Sequence, residues 1–411
     1  MANTRNKTAL PLEGVRIIDF SQLLPGPFAT QMMGEFGADV IKVERPGIGD
    51  PSRHNQPRYR ENSVYFNAVN ANKRSIALDL NQEAGREIVH RLLEGADVAI
   101  ESYRPGGARK LGIDYQTINA YNPRIIYCSI SGFGKTGPLS HIAGHDLVIQ
   151  GLTGLMGCDL EDINPPAVPG FQGADFAGAL YAVIGVQAAL AQRAKTGVGT
   201  EIDLAMFEAL YHMSLIALGS AFAHMAGHSG EPRMESFGGN PRYKTYITKD
   251  GKPVAVSLLE TKAWREFCGK IGRPDLVSAE ETLADRLSAH GERKADYQGA
   301  LAEYCGSHTW AEIMRQMEQT GIAICPVTTP DEAVALEHVK ARGSIAHIEH
   351  PVEGRIPYLV NPLSRAGLTA QAPRPAPRLG EHTEEILLAH GYTREQIADL
   401  RRQNIISEGL S

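Results

Sequence analysis

Through the first 132 residues, strand-like apolar runs alternate with helical stretches, and this alternation constrains the fold more than any other feature of the chain. VRIIDF (15–20) reads as a buried strand, LLPGPFATQMMGEFG as a turn and helix, and ADVIKVE as a second strand, which together make a βαβ unit. The pattern repeats in RSIALDL, the helix NQEAGREIVHRLLEG, the strand ADVAIES, a helical stretch after Pro105, and the strand RIIYCSISG ending at Gly132. A chain of this kind is predicted to be α/β, with a Rossmann-like large domain built on a mainly parallel sheet and its site outside the strand C-termini. A long apolar helix follows (PGFQGADFAGALYAVIGVQAALAQRAKTGVG), then a strand leading into another buried helix (EIDLAMFEALYHMSLIALGSAFAHMAG). The Gly/Pro-punctuated stretch GEPRMESFGGNPRY reads as a domain boundary. The expected division is residues 1–225 for a large domain, 226–330 for a smaller α+β domain, and 331–411 for a proline-rich C-terminal segment, which the family resemblance named below makes a return to the large domain.

Composition sets the class of partner. A net charge of -6 and a pI near 6.2 argue against nucleic acid and membrane surfaces as partners, and leave a small, phosphorylated ligand held by a local cationic cluster. The five cysteines are odd in number, widely spaced and without a CxxC pair, which fits a reducing cytoplasm rather than a disulfide framework or zinc ribbon. The N-terminal residues are polar with no apolar signal region, and the run Phe176–Ala191 is too short for a membrane span and contains Gln187, so it is expected to be a buried helix.

Chemistry concentrates around Asp175 at the mouth of the long helix, after a GHD triplet (Gly144, His145, Asp146). Free N–H groups and the helix dipole at that position would hold a carboxylate ionised, as a nucleophile requires; Asp is also among the commonest N-cap residues, and spacing alone favours that capping role. Gly132, Gly134 and Gly137 spell GxGxxG after a strand, but Pro138 and a polar stretch follow where a dinucleotide site needs a helix, so an extended glycine turn is expected instead. The pairs His141/His145 and His224/His228 are interrupted by glycine and lack the glutamate of HExxH, so no metal site is predicted. With neither GxSxG nor a cysteine motif present, carboxylates and histidine remain as the catalytic groups. Cations recur near strand ends: Arg45, Lys73 with Arg74, Arg104 and Lys110. Each alone reads as a solvated surface charge; together they suggest a phosphorylated cofactor.

Ordered blocks then carry a resemblance: LEGVRIIDFSQLLPGPFATQMMGEFGADVIKVERPGIGD, NANKRSIALDL, SYRPGGARKLGIDY, SGFGKTGPLSHIAGHDLVIQGLTGLM, GADFAGALYAVIGVQAALAQRAKTGVGTEIDLAMFEAL and RPAPRLGEHTEEIL. From about Leu12 to the C-terminal region the chain resembles the class III CoA-transferases of CaiB/BaiF type. The resemblance implies a large domain built from both chain ends, a small domain between them, and two subunits interlocked as rings. It also implies a CoA-transferase with no permanently bound cofactor, acting on an acyl-CoA and a small carboxylic acid, as a homodimer or a heterodimer with a paralogous subunit. Asp175 would be the nucleophile, passing through a mixed anhydride and an enzyme-CoA thioester. Arg45, Lys73, Arg104 and Lys110 would hold the CoA phosphates and adenine, with Leu24 and Ser102 against the nucleotide. Gly238 and Gly239, between Phe237 and Asn240, resemble a short glycine loop stabilising oxyanions. The acids considered include oxalate, malate and substituted succinate, with succinate derivatives and a succinyl-CoA donor favoured because His145 and an extra cation could bind a second carboxylate.

The family also contains α-methylacyl-CoA racemases, and His145, Asp175 and Glu260 each match the racemase pattern. In that alternative His145 and Asp175 exchange an α-proton with help from Glu260; in a transferase His145 lines the acceptor pocket. The bland readings are a turn histidine and an exposed helix start. A third alternative, a mainly structural subunit of a heteromeric enzyme, is opposed by the intact Asp175.

Overall fold

The sequence alternation folds into a seven-stranded sheet with strand order β12-β3-β2-β1-β4-β5-β6 in the computed structural model, which describes residues 9–158, 165–228, 234–318, 320 and 322–407. The chain enters through β1 (Arg16–Asp19), α1 (Pro25–Glu35), β2 (Asp39–Glu44), α2 (Val64–Val69) and β3 (Lys73–Leu78). It continues through α3 (Glu83–Glu94), β4 (Val98–Glu101), the short helices α4 (Gly107–Lys110) and α5 (Tyr115–Asn119), and β5 (Ile126–Ser131). Next come α6 (Asp146–Leu152), the long α7 (Gly173–Thr196), β6 (Thr200–Ala205) and α8 (Met206–Met213). β1 to β6 all pair in parallel, and β1 to β5 are buried along almost their whole length, as parallel strands covered on both faces should be, while β6 at the edge alternates with exposed Glu201 and Asp203.

Two compact units are present: residues 1–153, 168–213 and 338–411 form the larger, and 154–167 and 214–337 the smaller. The first boundary thus falls after Met213 rather than after residue 225, and the return begins at 338 rather than 331. The smaller unit contains α9 (Gly219–Met225), β7 (Tyr243–Ile247), β8 (Pro253–Ser257), α10 (Thr261–Lys270), α11 (Lys294–Ser307), α12 (Trp310–Glu318), β9 (Ile324–Pro326) and α13 (Pro330–Ala335). Its three strands form an antiparallel sheet, with a core around Trp264, Phe267, Tyr297 and Leu301.

After α14 (Glu337–Arg342), the return makes a hairpin that the sequence reading did not anticipate, β10 (Ile345–His350) with β11 (Gly354–Leu359), followed by the short α15 (Pro362–Arg365). The proline-rich stretch is pinned to the larger unit: Arg374 N–H donates to Asn72 Oδ1 at 2.8 Å, and Gln371 N–H donates to Glu35 O at 2.9 Å. Then α16 (Thr383–Ala389), α17 (Arg394–Arg402) and β12 (Ile406–Ser407) complete the sheet, β12 running antiparallel to β3. Ile386, Leu387, Ile397, Ile405 and Ile406 from this return share one core with Ile18, Ile41, Ile76, Leu92 and Tyr127 from the first half. The larger unit is therefore built from both ends of the chain.

Two expectations are corrected. The helical region after β6 is not one buried helix: α8 and α9 are separate, α9 has no buried residue, and Tyr211, Met213, Leu215, Ile216 and Met225 are exposed. An apolar run states that a face needs covering, and says nothing about which surface covers it. The long helix α7 ends at Thr196 before Gly197, as expected, but its 24 residues, unlike the run Phe176–Ala191 within it, are long and apolar enough to cross a membrane by length and composition. Here it packs on α1, α6, α8 and β5, and near its C-terminal end the buried Arg193 pairs with Asp97 at 2.6 Å. Small buried residues at Gly173, Ala174, Ala177, Gly178, Ala182, Val186 and Ala189 give it a flat face for that packing.

Candidate active site

β1 and β4 lie side by side at the centre of the sheet, and their connections leave in opposite directions, to β2 on one side and β5 on the other. Such a switch point opens a crevice at the strand C-termini. Across it, Gln22 N–H donates to Ser102 Oγ at 2.9 Å. A cavity of about 530 Å³ opens at this edge, and its walls include Leu23, Tyr65, Arg104, His145, Asp146 and Asp175.

Two glycines place the GHD triplet there. A Cβ on Gly132, at the end of β5, would lie 2.5 Å from Gly144 Cα, and one on Gly144 would lie 2.4 Å from Gly132 Cα. Only a pair of residues without side chains lets the backbone before His145 rest on the strand end. His145 then occupies the N-cap position of α6 with its side chain exposed, and Asp146 begins the helix.

Asp146 caps α7, the role one reading gave to Asp175. Its Oδ1 accepts from Ala174 N–H at 2.7 Å and Asp175 N–H at 3.3 Å, and its Oδ2 accepts from Gln150 Nε2 at 2.6 Å. Asp175 lies in the first turn of the helix, half-buried, and lines the cavity wall. The expectation that free N–H groups hold Asp175 ionised is therefore corrected, because Asp146 has taken those donors. Burial, followed by the charge of Asp146, pushes the Asp175 carboxyl up to about 7. Phe176, next in the chain, stacks on Phe171 and meets Phe28 edge-on, which fixes the helix start against α1.

The remaining sequence-selected residues divide. Arg104 and Ser102 line the cavity beyond β4, and Arg45 and Lys110 are exposed beyond β2 and in α4. Leu24 is buried as the N-cap residue of α1, and its neighbours Leu23 and Pro25 line the cavity in its place. Lys73 is a correction: its ammonium is fully buried and donates to Asp19 Oδ2 at 3.0 Å, Pro27 O at 2.9 Å and Asn70 Oδ1 at 2.8 Å. All three donors are used, so none is left for a phosphate. Arg74 is spent on Asp39 and Glu385. Glu260 and the glycine pair belong to the smaller unit. Glu260 pairs with Arg286 at 2.7 Å, while Gly238 takes φ +102° in a turn where Gly239 packs on the Glu235 carboxylate. Tyr65 escaped the sequence reading. It lines the cavity, and burial, then the charges of Asp175 and Asp50, hold its hydroxyl protonated well above the ordinary tyrosine range. No motif marks it, because its place in the cavity depends on α2 packing rather than on local sequence.

The model of CoA-transferase family III matches residues 12–383. The chain is a family III CoA-transferase. It is 33% identical to human succinyl-CoA:glutarate CoA-transferase over 92% of this chain and 85% of that protein. It is 31% identical to the succinyl-CoA–L-malate CoA-transferase beta subunit of Chloroflexus aurantiacus, over 97% of this chain and 99% of that protein. Among solved structures, a CaiB/BaiF family protein from Brucella suis superposes with a TM-score of 0.78 at 31% identity, covering 93% of this chain and all of the other.

Proposed function

We propose that this transferase moves CoA from succinyl-CoA to a short dicarboxylic acid of the glutarate or malate type, with Asp175 as the nucleophile. One observation carries the reading: a carboxylate with a raised pKa faces a cavity at the sheet's switch point, its helix start fixed by Asp146. Relatives named for succinyl-CoA with glutarate and with L-malate support the substrate class.

Asp175 Oδ attacks the thioester carbonyl; the C–S bond breaks, and CoA leaves as a thiolate from a succinyl–aspartyl anhydride. The thiolate attacks the Asp175 carbonyl carbon, expels succinate and forms an aspartyl-CoA thioester. The acceptor carboxylate attacks that thioester and releases the thiolate. The thiolate then takes the acceptor's acyl carbon and frees Asp175. No net hydrolysis occurs as long as water stays out. Arg104, Arg45 and Lys110 are the cations for the CoA phosphates, His145 and the Tyr65 hydroxyl are donors toward the acceptor and the developing oxyanions, and Gly238 and Gly239 are assigned to a glycine loop. The related transferases favour this chemistry over α-proton exchange, which would call on Glu260.

A second subunit belongs to the proposal. Leu147, Val148 and Leu152 of α6, Leu180 and Ile184 of α7, and Tyr211 and Met213 of α8 are exposed apolar side chains of the larger unit, a surface suited to an interlocked partner. The test of function is turnover of succinyl-CoA with glutarate, malate and substituted succinates. Formation of the acceptor's CoA ester by wild type, and its loss in Asp175→Ala, is the expected result; transfer at the wild-type rate by Asp175→Ala would contradict it.

A further inference from the structure

Three successive residues after β1, two of them in the cavity wall, each have a backbone group held by a side chain from elsewhere. Ser21 O accepts from Lys42 Nζ at 2.8 Å, Gln22 N–H donates to Ser102 Oγ at 2.9 Å, and Leu23 N–H donates to Asp50 Oδ1 at 3.2 Å. Lys42 and Asp50 also pair with each other at 2.9 Å, with neither side chain exposed. Asp50 is itself fixed, accepting from both Ser52 N–H and Ser52 Oγ at 2.8 Å. Neither Lys42 nor Asp50 lines the cavity, but Gln22 and Leu23 do.

Leu23 has φ +63°, the left-handed region that residues with a Cβ rarely adopt, so its conformation persists only because the surroundings impose it. A buried ion pair is a poor route to stability, since apolar side chains of the same size would serve as well or better. What an apolar pair could not do is hold a carbonyl and an N–H two residues apart on a strained turn.

We infer that Lys42 and Asp50 are positioning residues of the acyl-CoA site, holding the Ser21–Leu23 turn, and with it the Gln22 and Leu23 part of the wall, in its binding conformation before the ligand arrives. This rests on the proposed function for the identity of the ligand. Tyr65, which also lines the cavity, feels the charges of both Asp175 and Asp50.

The test compares full-length wild type, Asp50→Ala and Asp50→Asn, with free CoA binding measured by calorimetry and steady-state kinetics measured with succinyl-CoA. Asp50→Ala is expected to weaken CoA binding and raise the succinyl-CoA KM at least tenfold, with kcat changed less than threefold. Asp50→Asn keeps an oxygen facing Leu23 N–H and should recover most of the loss. A merely structural role would lower the active fraction, and with it kcat, while leaving KM alone; that pattern, or a wild-type CoA affinity in folded Asp50→Ala, overturns the inference. If Asp50→Ala does not fold, amide exchange on wild type decides. The Leu23 amide should be protected without CoA, and exchange at the rate of an open loop would overturn the inference. A wild type that binds CoA but does not use succinyl-CoA would count against the proposed donor, not against the clamp.

Discussion

Asp175 and Asp146 divide between them the two roles that one aspartate at a helix start can play. Asp146 takes the capping N–H groups, and Asp175, pushed first by its burial and then by the like charge of Asp146, is left with a carboxyl raised to about 7. A nucleophilic carboxylate must be ionised, so the rate of attack on the thioester should rise with pH and level off above about 7, as read by single-turnover kinetics. Asp146→Asn keeps an acceptor for Ala174 N–H but removes the charge, and should move that limb to lower pH. An unshifted limb would remove Asp146 from the account. The same shift has a sign in stability. A carboxyl raised in the folded state favours folding below its ordinary value of 3.8, and that advantage is lost as pH rises to about 7. Asp175→Asn, always neutral, should therefore be more stable than wild type at pH 8, by up to about 4 kcal/mol, with the difference fading toward pH 4. Denaturant unfolding at the two pH values checks this. Both aspartates were visible in the sequence, but their division of labour was not, because it depends on which carboxylate the α6 and α7 termini bring to the same N–H groups.

At the scale of elements, the glycine contact between β5 and the GHD loop is the joint that assembles the site. Gly132→Ala puts a Cβ into the Gly144 backbone, which has no flexible end to move, and should cost ~1–3 kcal/mol and impair turnover by displacing His145. Gly178→Ala is the contrast: its Cβ would sit 2.8 Å from Met206 Cγ, in an unbranched side chain that can turn aside, so a cost below about 1 kcal/mol is expected. Thermal unfolding of the two variants separates a backbone clash from a side-chain one. The strands and helices of the first half were legible because buried parallel strands are mostly apolar and their helices carry an amphipathic face, as α3 does with Ile88, Val89, Leu92 and Leu93. Lys73 was misread for a related reason. Sequence places a cation near a strand end, but only packing shows that it belongs to a buried cluster with Asp19.

For the whole molecule, the chain ends cooperate. The return supplies β12 and five buried core residues, Ile386, Leu387, Ile397, Ile405 and Ile406, to a core begun by the first strands. Each is worth roughly 1.5–3 kcal/mol of burial, so their sum is comparable with the ~5–15 kcal/mol net stability of a typical domain. A chain ending before Thr383 should therefore fail to fold, which expression and circular dichroism would reveal. No local pattern in the proline-rich segment announces this, because the pairing of β12 with β3 spans most of the chain. The chain's resemblance to the class III CoA-transferases supplied that expectation where periodicity could not. The account as a whole stands on covalent chemistry at one side chain, so the decisive measurement is intact-protein and peptide mass spectrometry of the enzyme mixed with succinyl-CoA, without acceptor. A CoA adduct on the peptide containing Asp175, absent from Asp175→Ala, is the predicted result; catalysed transfer to glutarate or malate with CoA attached at another residue would contradict it.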